Sequence, residues 1–257
     1  MISTKFPGIA VACLAAASIV LFQANSRAVQ AGGALPSLPQ GTVNAGAPDD
    51  ADGKIKDGKP TGKGWKSLFD GKSLKGWVGE KGFWKVEDGA IVGDKGHATP
   101  HHHYMFSTSD YSDFAMHIDF KMSGYNSGVC CRIHPKTFDD VPGYQVDMGD
   151  GYWGCLWDEH HRQKKILDFP ADEAEKILHR GDWNHYYFSM VGHHYKIFLN
   201  GVKTGEGDDP EGYDDGPLGF QLCHGENTVA AFKNIYIKTF KPATKGTAPK
   251  PEDPVVP

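Results

Sequence analysis

The strongest constraint in this chain is an alternation of apolar and polar residues, cut at short intervals by glycine, asparagine and aspartate. In FAMHIDFKMS, Phe114, Met116, Ile118, Phe120 and Met122 share one parity; Ala115, His117, Asp119 and Lys121 share the other. A period of two is that of a strand with one face on a core. GYQVDM sets Tyr144, Val146 and Met148 against Gln145 and Asp147, and SGVCCRIH sets Val129, Cys131 and Ile133 against Cys130, Arg132 and His134. FWKVEDGAIVG reads as two short strands around Asp88-Gly89, a hairpin signal. WNHYYFSMVGHHYKIFLNGVKTGE reads as a meander closed by Asn200-Gly201, and GPLGFQLCHG and VAAFKNIYIKTF add further strands. Only PADEAEKILHR reads as a helix. About a dozen closely spaced strands imply an all-β sandwich or barrel. The lack of an internal repeat argues against a propeller or solenoid.

The two ends lack this pattern. Lys5, an apolar run from Gly8 to Phe22 and small residues near Ala28 and Ala31 have the layout of a secretory signal peptide. The run is short beside the roughly 20 residues of a membrane span. The expectation is a signal over residues 1–28, a periplasmic or secreted product, and no membrane span after cleavage. Residues 29–63 are rich in Gly, Pro, Ala and Asp and read as a flexible linker; 241–257 read as a disordered tail. One domain is expected over 64–240. The net charge of −5 mixes both signs without a basic stripe, which argues against a nucleic-acid partner. Cys130, Cys131, Cys155 and Cys223 remain after cleavage, either as buried thiols or with one disulfide among them.

No GxSxG elbow, Walker loop, HExxH or strand-linked GxGxxG occurs. Candidate chemistry therefore rests on polar strand positions. Arg132, His134, Gln145 and Asp147 fit one shared surface; the alternative is a solvated sheet face with cross-strand pairs. In HATPHHHYMF, His101 and His103 would point the same way in an extended segment, with His97 brought in by a turn. Such imidazoles suit Zn, Cu or Ni; the alternative, and the commoner outcome for adjacent histidines in a Pro-containing loop, is an exposed polar stretch. GYWGCLWDEHHR is the richest stretch. Its alternation predicts a strand over 152–157, with Trp153 and Trp157 on one face, offering either a sugar platform or core packing. Asp158 and Glu159 follow where partial burial raises a carboxyl pKa, and Arg162 stands near as a counter-charge.

Six segments in order carry a resemblance: GWKSLFDGKSLKGW, FWKVEDGAIVG, YSDFAMHIDFKMSGYNSGVCCRI, GYQVDMGDGYWGCLWDEHHR, GDWNHYYFSMVGHHYKIFLNGVKT and GPLGFQLCHG with AFKNIYIK. Together they resemble the 3-keto-disaccharide hydrolase domain family, which includes 3-keto-glucoside 1,2-lyases and 3-keto-2-hydroxy-glucal hydratases. The resemblance implies a concanavalin A-like jelly-roll sandwich of two antiparallel sheets, exported, with its site on a concave sheet. Its partner would be an oxidised (3-keto) glucoside or disaccharide. The positions it covers include Asn126, Ser127, Gly128, Lys233 and Asn234. Many members carry Glu where this chain has Gln145; a glutamine takes no proton, so the base role passes to Asp147.

The implied chemistry is simple to state. A ketone at C3 acidifies the C2 proton, because its loss gives an enolate. The C1 oxygen then leaves by β-elimination, and water adding back makes the net result hydrolysis. The reaction needs a base, a partner for the enolate oxygen and an acid for the leaving group. The resemblance implies Asp147 or His224 as base, Arg132 as enolate stabiliser and Glu159 as acid or water-activating group. Tyr144, Gln145, Trp153, Asp158, Gln221 and His134 would surround the sugar. No cofactor is required; a divalent metal is an alternative electrophile to Arg132. The competing reading is a non-catalytic carbohydrate-binding module, since the same fold hosts lectins.

Overall fold

A computed structural model describes residues 54–241 and the backbone of 244–245. The expected signal, most of the expected linker and most of the expected tail lie outside these residues. Among the described residues no helix is long and apolar enough to cross a membrane.

Two eight-stranded antiparallel sheets form the domain. Across the first run Lys164–Leu167, Leu156–Glu159, Gly143–Gly149, Asn126–Cys131, Pro217–Leu222, His103–Asp110 and Thr244–Lys245, with Trp77–Gly79 also paired to His103–Asp110. Across the second run Val202–Asp208, His194–Leu199, Asn184–Val191, Phe114–Gly124, Thr228–Thr239, Ala90–Asp94 and Trp84–Glu87, with Lys66–Ser67 paired to Thr228–Thr239. The helix is Ala171–Ile177. This is the expected all-β jelly-roll sandwich.

The core is built from the inward parities. Phe220 of the first sheet stacks on Phe232 of the second, with ring centroids 4.0 Å apart, and on Trp77 at 4.8 Å. Tyr144, Val146 and Met148 face this core, as their alternation predicts. Each such large apolar side chain contributes about 1.5–3 kcal/mol on full burial. The hairpins at Asp88-Gly89 and Asn200-Gly201 have positive φ at both turn residues, as tight type I′ turns require. In Phe114–Gly124, however, the opposite parity is buried too: Ala115 and His117 have no exposure. The indole of Trp65, 4.7 Å from the His117 ring, covers that outer face. A small antiparallel pair, Ile55–Lys56 with Lys59–Pro60, forms inside the segment expected to be linker. All four cysteines in the domain are buried free thiols.

Two departures from alternation decide where the site is. The Asn126–Cys131 strand ends in Arg132, a non-glycine residue with φ 47°. That left-handed step reverses the parity. Ile133 packs with Cys130, Tyr104 and Phe106 on the outward face, while Arg132 turns the other way. In the second case, the expected strand 152–157 begins only at Leu156. Gly151 and Gly154, both with positive φ, fold 150–154 into turns.

Candidate active site

The outward face of the first sheet carries a polar cleft. Its floor follows from register. Gln145 lies opposite Cys130 and Trp157, Asp147 opposite Gly128, and Gln221 opposite Gly128 on the other side. These residues share the parity opposite the core. A cleft of about 400 Å³ is lined by them with Asn126, Tyr125, Tyr152, Glu159, His160, Gln163, His102, Cys223 and His224.

A ladder of side-chain hydrogen bonds crosses four strands of the floor. Tyr104 Oη accepts from Gln221 Nε2 at 2.7 Å, Gln221 Oε1 accepts from Gln145 Nε2 at 3.2 Å, and Gln145 Oε1 accepts from Cys130 Sγ at 3.2 Å. Gly128 makes this possible: a Cβ there would lie 2.4 Å from the Gln145 side chain. Asp147 is 3% exposed. Its Oδ1 accepts from Asn126 Nδ2 and from the Met148 N–H, each at 2.8 Å. Burial pushes its carboxyl up to about 7, and the nearby Glu159 charge adds to this; Asn126, the Met148 N–H and Gln145 pull the other way.

Histidines crowd one side of the cleft. His160 Nε2 lies 3.1 Å from Glu159 Oε1, and His160 Nδ1 lies 3.5 Å from Asp140 Oδ1. Burial opposes its cation, but the hydrogen bond and charge of Glu159, with Asp140 behind, lift it above the ordinary imidazole value. His102 stands 5.1 Å from the His160 ring and 4.5 Å from the His224 ring. Burial, then the neighbouring His160 and His224, hold His102 down at about 4, against the pull of Glu159. Its ring nitrogens meet the His224 backbone N–H at 3.4 Å and His224 Nδ1 at 3.0 Å. No Lys or Arg lines the cleft among the described residues.

Of the residues expected at the site, the structure brings Asp147, Glu159, His224, Gln145 and Gln221 together. It places the others elsewhere. Arg132 is fully buried on the far side of its strand. Its guanidinium donates to the backbone carbonyls of Ser112, Gly192 and Tyr213 and to Tyr195 Oη, beside Asp113. All of this is loop fastening, and none of it faces a ligand. Tyr144 is a core residue whose hydroxyl donates to Asp209 at 2.5 Å. Asp158, of core parity and 1% exposed, is held by Arg162, which also clamps Asp209. Trp153 is 6% exposed, stacked with Phe120, and donates its indole N–H to Asp150. His134 packs at a tilt against the Tyr213 ring, 4.3 Å between centroids, outside the cleft.

Sequence reasoning named Trp157 beside Trp153 as an aromatic face but missed three contributors, Tyr152, His102 and His160. Trp157 and Tyr152, in edge-to-face contact at 5.7 Å, form the aromatic wall without Trp153. His102 is the middle histidine of the triplet. Its neighbours His101 and His103 are engaged by Asp139 and Glu80. The signal was present, since His102 shares parity with Tyr104. His160 is turned into the cleft by a left-handed backbone with φ 50°, which alternation cannot foresee.

Comparisons with known proteins fit this architecture. A family model, the 3-keto-alpha-glucoside-1,2-lyase-like domain, matches residues 64–238. A solved structure from Parabacteroides distasonis ATCC 8503, named as a candidate glycosyl hydrolase, is 23% identical with a TM-score of 0.52, covering 69% of this chain and 95% of that one. A second of the same description is 22% identical with a TM-score of 0.50, covering 68% and 99%. A carbohydrate-binding module from Bacillus subtilis shares 16% identity with a TM-score of 0.50, covering 64% and 96%. At these identities the likeness is one of fold. No curated protein matches the chain.

Proposed function

The chain belongs to the 3-keto-alpha-glucoside-1,2-lyase-like family, and from that premise we propose that it is an exported enzyme acting on 3-keto-glycosides. It cleaves the glycosidic bond by C2 deprotonation and 1,2-elimination, and water adds to the resulting 2-hydroxy-glucal. The observation that carries this reading is Asp147: a buried carboxyl poised near 7, at the floor of a polar cleft with an aromatic wall. A base whose pKa lies near the working pH is what removal of a carbon acid proton demands.

Each step has a residue. Asp147 takes the C2 proton, and the electron pair moves onto the C3 oxygen as an enolate. The enolate re-forms the ketone as a C1–C2 double bond appears and the C1–O bond breaks. His224, the exposed imidazole of the cleft, protonates the leaving oxygen. Water then adds to C1, giving one proton to the His224 imidazole, while Asp147 returns its proton to C2, so both residues regain their starting states. Gln145 and Gln221, locked in the floor ladder, present fixed amide groups to ring hydroxyls. Trp157 and Tyr152 offer apolar surface to a sugar face.

Incubation with 3-keto-glucosides and their unoxidised parents tests the proposal. Release of aglycone from the keto sugars alone is expected, with a 2-hydroxy-glucal or 3-keto-glucose as partner product. Turnover of neither class, with sugar binding retained, would leave a carbohydrate-binding module; turnover of the unoxidised parent alone would make the protein an ordinary glycosidase.

A further inference from the structure

Elimination through an enolate needs a positive or strongly polarising group beside the C3 oxygen. Arg132, the one cation expected there, is spent on loop carbonyls, and the cleft has no other Lys or Arg among its described lining. What it has instead is imidazole and carboxylate. We propose that His102, Glu159 and His160 hold a divalent first-row transition-metal ion in the cleft. The inference rests on the proposed function only for what the ion does, not for its binding.

The geometry is that of a ligand set. The three ligand atoms lie within 4.8 Å of one another, and Glu159 Oε1 and His160 Nε2 are 3.1 Å apart. With metal–ligand bonds of about 2.1 Å, adjacent octahedral positions are about 3.0 Å apart and opposite ones about 4.2 Å. The closer pair already matches an edge, and His102, within 4.8 Å of both, completes the set by moving inward on binding. Alternation would send Glu159 and His160 to opposite faces. The left-handed backbone at His160 overrides it and brings both to one point. Such a conformation is strained in a non-glycine residue and persists where the surroundings demand it. Asp140 stands 3.5 Å from His160 Nδ1, beside the Val141 N–H at 3.3 Å, and Asp139 fixes the His102 backbone by accepting from its N–H at 2.7 Å. A carboxylate beside the far nitrogen, as Asp140 is to His160, is the usual outer support of a ligating histidine.

A second grouping shares His102 with Cys223 and His224. The Cys223 thiol is buried, which disfavours the thiolate a metal requires, whereas Glu159 offers a carboxylate oxygen beside His160. Two histidines and one carboxylate leave open positions on the ion. A 3-keto-glycoside offers a C3 carbonyl and a C2 hydroxyl on adjacent carbons, a natural bidentate pair for two of them. Loading the ion exchanges the His102–His224 hydrogen bond for a coordinate bond.

The full chain, stripped with chelator, is titrated with Co²⁺ and followed by calorimetry and visible absorption. One equivalent per chain is expected, with bands of a nitrogen and oxygen site and no intense sulfur-to-metal band. His102→Gln, Glu159→Gln and His160→Asn should each weaken binding about 100-fold or more. His161→Gln, on the same turn but outside the cleft, should not. Circular dichroism checks each variant, and Asn at 160 tolerates the left-handed backbone. Undiminished Co²⁺ binding in all three folded ligand variants overturns the site; a strong sulfur band moves the ion to Cys223 and overturns the ligand set. Parallel turnover assays separate this inference from the one it rests on. Stoichiometric binding without turnover of keto sugars upholds the site and sinks the enzyme reading. Turnover indifferent to chelator and to His160→Asn sinks the ion's part in turnover and leaves the enzyme, with the titration alone deciding the site.

Discussion

Replacing Asp147 by Asn removes one ionisable group and almost no volume, so its effect is an electrostatic measurement. The native carboxyl sits at about 7 against an ordinary 3.8. Below pH 4 the group is protonated in both folded and unfolded chains, and it contributes nothing. Between pH 4 and 7 the folded chain keeps a proton that the unfolded chain gives up, so native stability falls as pH rises. Above pH 7 the penalty is complete. Three units at about 1.36 kcal/mol each set it at about 4 kcal/mol. Asparagine carries no such charge, and its carbonyl oxygen can still accept from Asn126 and the Met148 N–H. Urea unfolding with chelator present should therefore show D147N and wild type equal near pH 4 and the variant more stable by about 2–4 kcal/mol at pH 8. Turnover should fall about 100-fold or more, as expected for a lost general base. A variant that is less stable by a constant amount at every pH would refute the reasoning, because the carboxylate would then be held by its donors and not penalised by burial.

Other consequences can be read from the same geometry. In wild type, kcat/KM on a keto sugar should rise with pH about an apparent pKa near 7, set by Asp147; a profile flat from pH 5 to 8 would remove it as the base. Gly128→Ala forces the Gln145 amide out of a 2.4 Å contact; KM should rise several-fold with the melting temperature lowered, and an unchanged KM would show that the floor ladder does not touch substrate. Arg132→Met removes four hydrogen bonds to the backbone carbonyls of Ser112, Gly192 and Tyr213 and should destabilise by about 3 kcal/mol, while any folded fraction keeps its turnover per molecule; selective loss of kcat would return Arg132 to the catalytic set. Asp209 is held down at about 2 by Arg162, against burial and with help from Tyr144. Its stabilisation is present above pH 4 and lost as pH falls toward 2, so Asp209→Asn should weaken the fold at pH 6 and differ little at pH 2, as read by thermal melts.

Most of the fold is legible because a two-sided sheet writes its parity into every strand. Tyr144, Val146 and Met148 point inward and Gln145 and Asp147 outward for no reason beyond pleat and burial. What parity does not record is what later covers the outer face. His117 reads as solvated yet is fully buried, because Trp65, fifty-two positions earlier, lies over it. Nor does composition mark the edge of the domain well. Residues 55–60, poor in large apolar groups, still form a paired hairpin, because Asp57-Gly58 supplies the left-handed turn it needs.

The site was less legible than the fold, and for one cause that recurs. Parity carries over from residue to residue only while φ stays negative. At Arg132, at His160 and through Gly151 and Gly154, the backbone takes left-handed steps. The first removes Arg132 from the face it was expected to share with Gln145. The second adds His160 to a face it was expected to leave. The third takes Trp153 off the face it was expected to share with Trp157. A glycine announces such a step in the sequence, but Arg and His do not, and both lie at the ends of strands that bound the cleft. The chemistry changes with them. A site reasoned from alternation has an arginine to meet an enolate; the folded site has none, and gathers three imidazoles and a carboxylate where that charge is needed. The left-handed step at His160 is thus the point at which a backbone angle, not a residue type, determines which kind of electrophile the cleft can hold.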